Sequence, residues 1–246
     1  MQDGRPLLPP PSLQHLVPGG QLLEWKVDEA VAVWNATRQE LRAARGNYEA
    51  AERLVTLTMI LGQYFQLRGD SLRQREVLEG ALDVSSLPRH RQILRGFLCR
   101  AAVRAGDLDA AESWLQPCDP NSDDLQMDSA YRFSRAFIDT ARGRFDRVLE
   151  VLGQGPHDVP IDDASDDVCA VLRANAWEKL GRPDQAVMLL RERLAAGGGT
   201  GRQTVERVIQ YYASWNLCAM SYPQARAHYA EVAGARAATS ASGGIH

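Results

Sequence analysis

The chain has 246 residues, 45% of them hydrophobic and 24% charged, with a formal net charge of -3, a composition that supplies a buried core. That balance excludes an overall positive field for gathering phosphates, so nucleic acid is not an expected partner. The longest apolar run, 55–65, is broken by Thr56, Thr58, Gly62 and Gln63 and falls far short of a membrane span.

Residues 1–20 carry prolines at 6, 9, 10, 11 and 18 and an acid at Asp3. With no basic start followed by an apolar core, they read as an arm or linker and not as a signal peptide. A helical repeat domain is expected over 21–237 and a disordered small-residue tail over 238–246. Within the domain, apolar spacing of three and four residues predicts helices at about 22–45, 48–68, 71–84, 88–105, 108–116, 124–142, 145–153, 164–180, 183–196, 202–219 and 222–237. The first of these is expected to cap the apolar edge of the stack, as the end elements of repeat arrays do. The longer breaks contain Pro117, Pro120 and Asn121, then Gly153, Gly155 and Pro156, then the glycine run at 197–199, all turn-forming residues. No run of alternating β-branched residues competes as a strand.

A fixed period emerges from the short turns. Gly69-Asp70, Gly106-Asp107, Gly143-Arg144, Gly181-Arg182 and Met220-Ser221 follow one another at spacings of 37, 37, 38 and 39 residues. Ahead of each glycine turn stands a small residue, Gly62, Cys99, Ala136 or Ala174, and Ala81, Ala111 and Ala186 recur in the helices that follow. A small residue lets the neighbouring helix approach, and a turn glycine supplies the left-handed conformation that ends the first helix. The pattern resembles the tetratricopeptide repeat over about residues 48–237. The resemblance implies an all-α, right-handed solenoid of antiparallel helix hairpins, about five repeats plus an N-terminal capping helix. The pattern departs at Arg135, where a large apolar residue is expected, at Pro183 in place of the turn aromatic, and in the fifth turn, which lacks glycine. The units also exceed the usual 34 residues.

Chemistry is tested next. Asp119-Pro120-Asn121-Ser122-Asp123 begins like a calcium loop, but Asp124 occupies the obligatory glycine position and Ala130 that of the bidentate glutamate. Helix capping by Asp123 or Asp124 is the expectation. The segment 197–204 lacks the ending of a phosphate loop, and His15, His90, His157, His228 and His246 are too scattered for a catalytic or metal set. Cys99, Cys118, Cys169 and Cys218 form no C-x-x-C pair and are expected as buried reduced thiols of a cytoplasmic protein. The predominance of arginine, with Lys26 and Lys179 the only lysines, reads as codon bias of a bacterial type. The chain is therefore not expected to be an enzyme, and no cofactor or metal is expected.

In the repeat frame that the resemblance implies, the first helix of each unit lines a concave surface. It places Met59, Gln63 and Gln66 there, then Arg100 and Arg104, then Phe133 and Phe137. Further along come Val171, Asn175, Glu178 and Lys179, and last Gln210 and Ser214. Phe133 and Phe137 are read either as aromatic anchors for a partner or as core, and Arg100 and Arg104 either as carboxylate ligands or as solvated or locally paired charges. The expected function is a scaffold or adaptor that binds a protein segment or peptide in this groove. Two rivals are a regulatory module sensing a peptide or small ligand and the soluble part of a larger membrane-associated assembly. Self-association through Trp25, Trp34, Tyr211 or Trp215 stands beside their internal packing.

Overall fold

The computed structural model describes residues 27–44, 46–67, 69–153, 163–186 and 188–189. The arm, the helices expected at 202–219 and 222–237, and the tail lie outside the described residues. The helices are α1 (Val27–Ala43), α2 (Tyr48–Leu67), α3 (Ser71–Val84), α4 (Pro88–Arg104), α5 (Leu108–Leu115), α6 (Leu125–Ala141), α7 (Phe145–Leu152) and α8 (Asp163–Lys179). No strand occurs among the described residues. The chain divides into two compact units, Met1–Ser165 and Asp166–His246.

In the first unit each helix packs on the next, and short connections make successive helices antiparallel. Helices two apart also touch: α1 meets α3, α2 meets α4, and α4 lies closely along α6. That second set of contacts stacks one hairpin on another and makes a helical repeat.

The turns explain why the helices end where they do. Gly69, Gly106 and Gly143 hold φ of 72°, 78° and 70°. The following residue in each turn reaches back across the helix end, Asp70 N–H to the Phe65 carbonyl at 2.9 Å, Asp107 to Ala102 at 3.0 Å and Arg144 to Asp139 at 2.8 Å. This is the six-to-one closure of a helix C-terminus, which needs a left-handed residue just past the helix. Asp70 and Asp107 then serve the next helix, accepting from the N–H of Arg73 at 3.1 Å and of Ala110 at 2.9 Å. One dipeptide therefore stops one helix and starts another.

Small residues sit where the helices converge. Cys99 and Ala136 are fully buried, and a Cβ added at Gly62 would meet Leu78 at an ordinary 3.6 Å. Ala81 and Ala111 are buried in the second helices. The expected capping helix α1 packs on α2 and α3. It contributes Trp34, which is 3% exposed, donates its indole N–H to Thr58 Oγ1 at 2.7 Å, and fits against Gly80 of α3. Trp34 is thus a core residue.

In the second unit α8 closes with the same turn, Gly181 at φ 76° and the Arg182 N–H on the Trp177 carbonyl at 2.8 Å. Residues 183–186 continue as helix, and Arg182 lies over the Trp177 ring at 5.4 Å.

Candidate interaction site

Counting back from each turn glycine places equivalent side chains on equivalent faces. Six residues before the turn stand Gln63, Arg100, Phe137 and Asn175; ten before stand Met59, Gly96, Phe133 and Val171. In the first unit α4 and α6 bring part of this set together.

Gly96 decides how closely they approach. A Cβ there would lie 3.0 Å from Ser134 Oγ and 3.2 Å from the Ala130 carbonyl of α6, so a larger residue would require α6 to give by a few tenths of an ångström. Ser134 is consequently buried, with its hydroxyl 2.7 Å from the Ala130 carbonyl and 3.2 Å from that of Gly96. Arg100 donates to the same oxygen at 2.9 Å. Its guanidinium is held between two rings, 4.4 Å from the centroid of Phe97 and 4.7 Å from that of Phe133. Phe133 meets Phe137 edge to face at 5.0 Å, and Arg104 lies over Phe137 at 5.5 Å. Phenyl faces carry the negative part of the ring quadrupole, so each guanidinium gains cation–π attraction and a fixed orientation.

Burial divides the expected groove residues. Phe137 is 1% exposed and Arg100 6%, so Phe137 belongs to the core and Arg100 to the floor of the stack. Phe133, Arg104, Met59, Gln63 and Gln66 are half-buried and keep part of their surface. Gln66 also accepts from the Gln74 side chain at 3.4 Å. In the second unit Val171 and Asn175 are buried, Glu178 is half-buried and Lys179 is exposed. Gln210 and Ser214 lie outside the described residues.

Other charged clusters are structural in character. Arg135, the departure from the repeat pattern, is held by Glu112 of α5 at 3.0 Å and by Asp139 at 3.1 Å. Asp139 is 1% exposed and also takes Arg144 at 2.5 Å, while Glu112 takes Arg142 at 2.6 Å. The carboxylates around it push the Arg135 pKa up against the opposing effect of burial, the hydrogen bonds it donates to Asp139 contributing most. The same position in α8 is Arg173, also buried, whose Nε donates to the Cys169 carbonyl at 3.3 Å. Between α2 and α4, Glu52 receives Arg89 and lies 3.0 Å from His90 Nε2. Burial works to raise the Glu52 carboxyl, but Tyr48, His90 and Arg89 outweigh it and hold it below its ordinary value. Asp124 caps α6, accepting from the N–H groups of Gln126 and Met127 at 2.9 and 3.1 Å, as a helix start would use it. Cys99 and Cys118 are free thiols, and all three described cysteines, Cys99, Cys118 and Cys169, are buried. Among the described residues no three His, Cys, Asp or Glu side chains gather as metal ligands, and no helix is long and apolar enough to cross a membrane.

A family model described as tetratricopeptide repeat matches residues 92–117 and 168–192. The first match spans most of α4, all of α5 and the turn at Gly106; the second spans most of α8 and the turn at Gly181. The chain is a tetratricopeptide-like repeat protein. No curated protein and no solved structure matches it. Tetratricopeptide repeats point to a protein-interaction module.

Phe97, Gly96 and Ser134 were not among the groove residues expected from sequence. A signal for Phe97 exists: it stands three residues before Arg100, hence on the same helix face.

Proposed function

We propose that this tetratricopeptide-like protein is a non-catalytic scaffold or adaptor that binds a protein segment on the face made by the first helices of its repeats. The observation that carries the reading is the close pairing of α4 with α6. It gathers aromatic and cationic side chains, Phe97, Arg100, Phe133 and Arg104, on one side, where half-buried Phe133 and Arg104 retain exposed surface. Aromatic and arginine side chains held rigidly at a surface lose little entropy on binding and dominate interface energies. Met59, Gln63 and Gln66 of α2 extend the face with apolar and hydrogen-bonding groups. Buried free thiols at Cys99 and Cys118 support a cytoplasmic setting, where reducing conditions keep cysteines unpaired.

The test is a photo-crosslinking amino acid placed at Gln63 of the full chain in its native lysate, with a second version at exposed Arg75 of α3 as control. A defined protein adduct from position 63 and none from position 75 is the expected result, and Phe133→Ala, checked for native helicity, removes it. Adducts from position 75 alone would move binding to the outer helices and overturn the reading.

A further inference from the structure

We draw no further inference here: the strongest candidate, the stack of Phe97, Arg100 and Phe133 on the face shared by α4 and α6, belongs to the site already described, and nothing in the structure shows what covers it.

Discussion

Three glycines of the first unit make different demands, and each has its own outcome on substitution by alanine. Gly106 sits at φ 78° with open space where a Cβ would go, so Gly106→Ala carries only the left-handed backbone cost, about 1–2 kcal/mol. Gly80 has helical backbone, but its Cβ would lie 2.7 Å from the Trp34 ring, which is fixed by the bond to Thr58. Overpacking there outweighs the roughly 1 kcal/mol of helix propensity that alanine gains, for a net loss of about 1–2 kcal/mol. Gly62 meets Leu78 at 3.6 Å, so Gly62→Ala is expected to be neutral or stabilising by up to about 1 kcal/mol. Urea titration of the three variants checks the ranking, and a Gly80→Ala protein as stable as the parent would refute the account of Trp34. The sequence made the first class legible, because a glycine just past an apolar-periodic run signals a helix end. It gave no sign of the second, since Gly80 and Gly96 lie within helices and their meaning comes from α1 and α6, far off in the chain.

Between elements, charge does what apolar packing does elsewhere in the repeat. Arg135 occupies a position filled by Leu61 in α2 and Leu98 in α4. It is accommodated because Glu112 on α5 and Asp139 one turn along α6 accept its donors. Glu112 could not be paired with it from sequence, lying 23 residues away across a loop, whereas Asp139 stands four residues on along the same helix face. Asp139→Asn removes a buried carboxylate shared by Arg135 and Arg144 and should cost about 1–3 kcal/mol, read as a lower denaturation midpoint with unchanged helicity. The joint between α2 and α4 answers to pH. The Glu52 carboxyl is lowered in the folded protein from its ordinary 4.5, so its contribution is present above that range and is lost as pH falls through the lowered value. Glu52→Gln should flatten the acid side of the stability profile, and an unchanged slope below pH 4.5 would disprove the contribution. Helix boundaries, by contrast, were legible almost to the residue: α3 runs Ser71–Val84 as expected over 71–84, because Gly69 and Asp70 punctuate its start.

At the scale of the whole molecule, the described thiols distribute over both compact units, with Cys99 and Cys118 in the first and Cys169 in the second. Burial raises the thiol pKa of Cys99 and Cys118, and a thiol reacts as its thiolate. For Cys99, burial pushes the pKa up from 9.0 to about 12. The sign follows from linkage: above pH 9 the unfolded chain ionises Cys99 while the folded chain does not, so stability falls as pH rises from there toward 12. At neutral pH the native protein should therefore alkylate at none of these three positions, and labelling should appear only where a unit opens. Repeat proteins owe their stability to contacts between neighbouring units, so Cys99 and Cys118, both within the first unit, should become reactive together along a urea series. Peptide mass spectrometry after pulse alkylation follows Cys169 separately in the same samples. Joint labelling of Cys99 and Cys118 at one midpoint would establish the first unit as one cooperative body; labelling of Cys118 well before Cys99 would mean that the α5–α6 connection opens while α4 remains packed on α6.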